Sequence, residues 1–193
     1  MNERLYELID RYQPQNEQER ADRSFMLEII RTYEDVATRN NRLAHFSASP
    51  WIVNQDFTKV LMVYHHIYDS WGWCGGHLDG EDDCLYVARK EGMEESGLST
   101  LRSLSPEPIA IDILPVPPHF KNGHFVSAHV HLNITYLCMA DERAALRIKP
   151  DENSGVKWIA NEQINDEVSE KEMCVVYDKL MRRSQQIFRT GFF

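Results

Sequence analysis

The chain has 193 residues, with 21 Lys+Arg against 30 Asp+Glu and a formal charge of −9. That length suits one domain with a sizeable core and room for an appended helical piece, and 42% hydrophobic with 26% charged residues excludes a disordered chain. The acidic balance argues against a nucleic-acid coat or an anionic-membrane binder, while a phosphorylated substrate stays open because divalent cations can supply the positive charge.

Two helices are expected first, over residues 2–12 and 16–38, separated by Gln13-Pro14-Gln15. In the second, Phe25, Met26, Ile29, Ile30 and Tyr33 recur at helical spacing, Asn16 suits the N-cap, and Asn40-Asn41 marks the end. A helical hairpin of this size is marginal alone and is expected to pack on the rest of the chain. From residue 45 the period changes. Ala48–Val53 and Thr58–His65 read as a hairpin around Asn54-Gln55-Asp56. A glycine-rich loop, Trp71–His77, then leads to an amphipathic helix from Asp82 to Ser96, with Gly97 at the C-cap position. Strands are expected at Ile109–Leu114, Phe125–Met139 and Val156–Ala160. A last helix over Ser169–Phe188 should bury Met173, Val176, Tyr177, Leu180 and Ile187. Strands interleaved with helices indicate an α/β or α+β sandwich.

No apolar run approaches the roughly 18 residues of a membrane span, and Met1–Glu7 has neither the basic nor the apolar region of a signal peptide. Cys74, Cys84, Cys138 and Cys174 are widely spaced and form no C-x-x-C pair, so the expectation is a cytoplasmic protein with reduced thiols.

The chemistry lies in residues 75–98. On a helix, Glu91, Glu94 and Glu95 share a face about 100° wide, beside an apolar side made by Leu85, Ala88 and Gly92. Three like charges so close repel unless a cation lies between them, and a hard divalent ion bound by carboxylate oxygens suits such a face. On the helix alone, a solvated acidic face is the plainer account. Gly92 tips the balance, because a mid-helix glycine costs about 1 kcal/mol relative to alanine and suggests a close approach there.

This segment resembles the Nudix box, G-x5-E-x7-R-E-U-x-E-E-x-G-U, where U is a bulky aliphatic residue. All spacings hold over 76–98, and Gly76, Glu91, Glu94, Glu95, Gly97 and Leu98 agree with the pattern. Three positions depart: Asp82 for Glu, Lys90 for Arg and Gly92 for the aliphatic. Gly75-Gly76-His77 followed by Asp79-Gly80 is similar to a bacterial branch of the family. The resemblance implies a Nudix-type α/β/α sandwich with a mixed β-sheet over residues 43–193, carrying residues 1–42 as a helical extension. It implies a pyrophosphohydrolase in which Glu91, Glu94 and Glu95 hold Mg²⁺ or Mn²⁺ while water attacks phosphorus. Glu91 is a metal ligand or the group that orients or deprotonates water, with Lys90 holding it. Glu152 is a candidate further metal ligand. Gly75 and Gly76 let the backbone approach the substrate, and His77 is a candidate phosphate contact. Asp82, one methylene short of Glu, opens the helix and suits an N-cap.

The implied partner is a small phosphoanhydride such as a nucleoside diphosphate derivative, with no nucleic-acid polymer and no membrane; a homodimer is left open. A Nudix-fold sensor without catalysis, or isomerisation of an isoprenoid diphosphate, are the alternatives. Tyr68, Trp71 and Trp73 are candidates to stack a ring, with core packing the expected role of Trp73. His129 and His131 share one face of the long strand, with His124 nearby; a zinc site there needs a third ligand that the sequence does not place, so sheet-lining is the expected role.

Overall fold

The computed structural model describes residues 2–121 and 123–191. Two helices come first, α1 (Glu3–Arg11) and α2 (Glu17–Thr32), followed by strands β1 (Ala44–Val53), β2 (Lys59–His65), β3 (Ser70–Gly72) and β4 (Gly76–His77). Helix α3 (Cys84–Ser96) leads to β5 (Arg102–Ser103), β6 (Ala110–Val116), a small hairpin β7 (His119–Lys121) and β8 (His124–Val126), then β9 (His129–Met139) and β10 (Asn153–Ala160). A short α4 (Ile164–Glu167) and the long α5 (Lys171–Thr190) close the chain.

The main sheet runs β10-β2-β1-β9-β5, with β3 on β2, β4 on β1 and β6 on β9. It is mixed because β1 and β9 lie parallel, in register from Ala44↔Val130 to Val53↔Met139, while the other pairs are antiparallel. The hairpin of β1 and β2 forms as the sequence suggests, with Val53 opposite Val60, but β1 begins earlier, at Ala44. Two cores sandwich this sheet. Phe46, Ala48 and Ile52 of β1 pack with Ile9, Met26 and Ala88 on one side, and Trp51 and Val53 pack with Tyr177 and Leu180 on the other.

Asn16 caps α2 as expected, its side chain accepting from Glu19 N at 2.8 Å. The helix stops at Thr32 rather than 38, because Val36 turns into the core and the next carbonyls are used elsewhere. Val36 O accepts from Phe46 N and Ala37 O from Gly80 N. The buried stripe is turned from the one expected. Met26, Leu27, Ile29 and Ile30 are buried, while Phe25, about 120° from the middle of Met26 and Ile30, and Tyr33, which has left helical phase, are exposed.

Both helices feed the same core as the sheet, through Leu5, Ile9, Met26 and Ile30.

Candidate active site

Helix α3 starts at Asp83, whose side chain accepts from Tyr86 N at 2.9 Å, and ends at Gly97 with φ 73°. Asp82 is therefore not the cap; it pairs with Arg4 of α1 at 2.7 Å, tying the N-terminal helices to the box. A Cβ on Gly92 would lie 2.8 Å from both Leu101 Cδ2 and Pro50 Cγ. The missing aliphatic side chain of the box pattern is thus a close approach: the helix settles onto β1 as far as a glycine allows.

That approach sinks the neighbouring acidic face. Glu95 is only 2% exposed; its Oε1 accepts from Gly75 N at 3.2 Å, and its Oε2 is buried with no hydrogen-bond partner. Burial pushes its carboxyl up to about 8, against the Gly75 N–H and helped by the charges of Glu152 and Glu91. Burial also raises Glu91, against the neighbouring Lys90 ammonium, whose Nζ lies 3.5 Å from Glu91 Oε1. Glu152, just before β10, comes in from the far side. Glu91, Glu95 and Glu152 each offer a carboxylate oxygen, all within 4.8 Å of one another. Glu94 is half-exposed and stands outside that trio, held by Lys90 at 3.8 Å and Lys149 at 3.5 Å; Lys149 also pairs with Glu152 at 3.1 Å.

Gly75 and Gly76, at the start of β4, are fixed by space. A Cβ on Gly76 would overlap the Glu91 carboxyl, and one on Gly75 would overlap the Ser49 side chain. His77 turns toward the sheet, its Nε2 3.1 Å from His131 Nε2. All these groups border one cleft of about 560 Å³. Tyr68 lines that cleft. Trp71 packs between Tyr64 and the Lys157 ammonium instead, and Trp73 is buried against Trp51 and Tyr177, as expected for a core residue. The stiff Pro115-Val116 segment also borders the cleft.

Sequence reasoning passed over Lys149, which bridges two of the acidic groups, and the floor of the cleft. There Ser47 and Ser49 of β1 both donate to Asn133 Oδ1 of β9, at 2.9 and 3.0 Å. The signal was present as polar residues at alternate positions, His45-x-Ser47-x-Ser49 and His129-x-His131-x-Asn133-x-Thr135, in strands otherwise apolar.

A cluster of three acidic oxygens under a glycine loop, framed by a mixed sheet, agrees with the box resemblance, and comparison with known proteins decides it. A family model, the NUDIX domain, matches residues 44–183. The chain belongs to the Nudix family. It is accordingly a hydrolase of phosphoanhydrides, the small substrates on which Nudix hydrolases act. No curated protein matches the sequence. Among solved structures, an Ap4A hydrolase from C. elegans in a binary complex is similar at 17% identity and TM-score 0.50, covering 76% of this chain and 98% of that one. A Nudix hydrolase from Clostridium perfringens is 20% identical with TM-score 0.49, covering 72% and 96%. A MutT Nudix hydrolase from Burkholderia pseudomallei is 18% identical with TM-score 0.47, covering 70% and 97%. At 17% identity the likeness to the Ap4A hydrolase is one of fold. Among the described residues, no helix is long and apolar enough to cross a membrane.

Proposed function

We propose that this Nudix hydrolase is a Mg²⁺- or Mn²⁺-dependent pyrophosphohydrolase that cleaves a small nucleoside diphosphate derivative by attack of water on phosphorus. The observation that carries this is Glu95 Oε2, a buried carboxylate oxygen with no partner, beside Glu91 and Glu152. An isolated buried carboxylate is costly, and a hard cation with oxygen ligands removes the cost for all three groups at once. Glu91, Glu95 and Glu152 would hold the metal. Glu94 would join them by leaving Lys149. The bound ion would neutralise diphosphate oxygens and lower the pKa of the attacking water.

The chain's own residues do the rest. Gly75 N–H fixes the orientation of Glu95. Lys90, 3.5 Å from Glu91, would restrain it, and Glu91 would orient the water or take its proton. Gly75 and Gly76 keep the cleft wall free of side chains, so a phosphate can approach the backbone. Tyr68, which lines the cleft, would stack on a base. In this reading residues 43–193 form the catalytic domain and 1–42 a helical extension docked on it. Four free cysteines, three of them buried, support a reducing cytoplasmic setting.

Purified protein should be screened against a panel of phosphoanhydrides with Mg²⁺ and with Mn²⁺. Expected are two phosphorylated products, or a nucleotide and pyrophosphate, with isotope from labelled water in one product phosphate. Tight binding across the panel without cleavage would replace this reading by a nucleotide sensor.

A further inference from the structure

We propose that the chain carries a second, separate metal site, an imidazole site for Zn²⁺ built from His45, His77 and His131 with His129 as the fourth ligand. The sheet itself assembles it. In the register of β1 and β9, His45 lies opposite His131, and β4 places His77 opposite Ser47 on the other flank of β1. His129 and His131 are two apart on β9 and share its face. Four imidazoles from three strands therefore converge on one side of the sheet, with ring centroids 4.8–5.1 Å apart for His45–His77, His45–His129, His45–His131, His77–His131 and His129–His131.

The nitrogens show what the cluster lacks. His45 Nδ1 lies 2.9 Å from Asn41 O and His129 Nδ1 2.9 Å from Ser127 O. A carbonyl oxygen only accepts, so in each neutral ring Nδ1 carries the hydrogen and Nε2 presents a lone pair. For His45 that lone pair is buried with no hydrogen-bond partner, on a residue 4% exposed. His131 Nε2 faces two other nitrogens, His77 Nε2 at 3.1 Å and His129 Nε2 at 3.3 Å. It has one hydrogen at most, or one lone pair, and cannot serve both as a hydrogen-bond partner in the same sense. Converging lone pairs that repel one another are stable around a cation.

Two further features fit zinc. Tetrahedral arms of 2.0–2.1 Å put ligand nitrogens about 3.3–3.4 Å apart, close to the two spacings seen. Ring N–H groups held by backbone carbonyls are the usual outer support of metal-bound histidines, since they fix tautomer and orientation. The all-nitrogen donor set selects a borderline transition metal, whereas the glutamate site in the same cleft selects hard Mg²⁺ or Mn²⁺. His45, His77 and His131 offer nitrogens within 4.8 Å of one another, so a cation needs only small side-chain shifts to be gripped. Zinc here would pin β4 to β1 and β9, directly after the glycines that face Glu91 and Glu95. The proposal does not depend on the hydrolase reading.

The test uses untagged full-length protein stripped with chelator and loaded with Zn²⁺ or Co²⁺. In the variant Glu91→Gln/Glu95→Gln/Glu152→Gln, one equivalent of Zn²⁺ should still bind, and Co²⁺ should give the intense visible bands of a tetrahedral site. Zn²⁺ should also raise the melting temperature of that variant. His131→Gln should abolish the bands and the shift, and His77→Gln, on a partly buried position, does the same job if His131→Gln fails to fold. Zinc stoichiometry that follows the glutamates and survives both histidine substitutions would overturn the site, as would an absence of tetrahedral Co²⁺ bands in the glutamate variant.

Discussion

Gly76 stands so close to Glu91 that a Cβ there would lie 2.8 Å from Glu91 Oε1 and nearer still to its carboxyl carbon. The glycine loop and the box helix are thus fitted to each other at the point where the acidic trio forms. Gly76→Ala should displace the Glu91 side chain rather than unfold the helix, since the atoms met are the end of a flexible side chain. Mn²⁺ affinity and turnover should each fall at least about tenfold, the scale of one lost charged contact, with a melting temperature within a few degrees of the parent. Calorimetric Mn²⁺ titration and a thermal melt check both halves; a large loss of stability with normal Mn²⁺ binding would contradict the fit described.

Lys90 and Arg89 divide the two ways of aligning the box, and the structure separates their roles. Lys90 faces Glu91, while Arg89 Nε donates to Leu101 O at 3.1 Å on the other side of the helix. Because the ammonium is half-exposed and 3.5 Å away, Lys90→Ala should cost about 1 kcal/mol of positioning, roughly a fivefold loss in turnover. Lys90→Arg should be tolerated or improve on the parent, since a guanidinium fork holds a carboxylate more firmly. Arg89→Ala should lower stability by about 1 kcal/mol and leave kcat near the parent value. Steady-state kinetics beside thermal melts decide this; normal turnover in Lys90→Ala with a crippled Arg89→Ala would shift the box by one residue.

The raised carboxyl of Glu95 sets a pH dependence with a definite sign. Its ordinary value is 4.5 and burial moves it to about 8 in the folded chain. Between those values the metal-free folded chain keeps a proton that the unfolded chain has released, so metal-free stability should fall as pH rises through that window. Glu91, raised by burial too, acts in the same direction. Cation binding requires the ionised form, so affinity for Mn²⁺ should rise up to about tenfold per pH unit and level off above about 8. Glu95→Gln should flatten the metal-free stability curve and abolish turnover. Melts from pH 5 to 9 with chelator, against the same series with Mn²⁺, check it; a metal-free stability that rises across the window would refute the assignment.

Much of the fold and the site was legible because local rules and tertiary demands agree. Asn16 and Gly97 cap their helices where the sequence places them, and Glu91 and Glu95 stand together on one helix face. The cap of α3 was missed by one residue, because Asp82 and Asp83 are chemically alike and only the pairing with Arg4, far back in the chain, separates them. The end of α2 was missed because helix propensity continues past Thr32 while Val36 is claimed by the core. Histidine clustering was invisible for a deeper reason. His45, His77 and His131 come from three strands whose mutual register no single segment encodes. Glu152 could be suggested from its place before Trp158, but its approach to Glu95 depends on β10 pairing with β2.

The N-terminal helices are held by a buried ion pair whose loss should be measurable apart from catalysis. Glu19 of α2 is fully buried; Oε2 accepts from Arg183 Nη2 at 2.8 Å and from Gln15 N at 2.9 Å, and Oε1 accepts from Tyr12 Oη at 2.8 Å and from Arg183 Nη1. Arg183, on α5, also donates to Ile109 O at 2.8 Å, so one guanidinium joins the N-terminal helices, the sheet margin and the last helix. Removing Glu19 leaves the Arg183 charge buried without a carboxylate, which costs about 3–5 kcal/mol. For a chain of this size that is a drop of roughly 6–20 °C in melting temperature. Glu19→Gln should show it; Arg183→Met should lose less, because the buried Lys179 ammonium still lies 3.5 Å from Glu19 Oε1. The double variant Glu19→Leu/Arg183→Met should recover much of the loss, because two apolar groups leave no orphaned charge. Neither side chain borders the cleft, so turnover per folded molecule, measured well below the transition, should match the parent in all three. If Glu19→Gln melts within about 2 °C of the parent, the pair contributes no more than a surface contact and the docking of α1 and α2 rests mainly on their apolar faces.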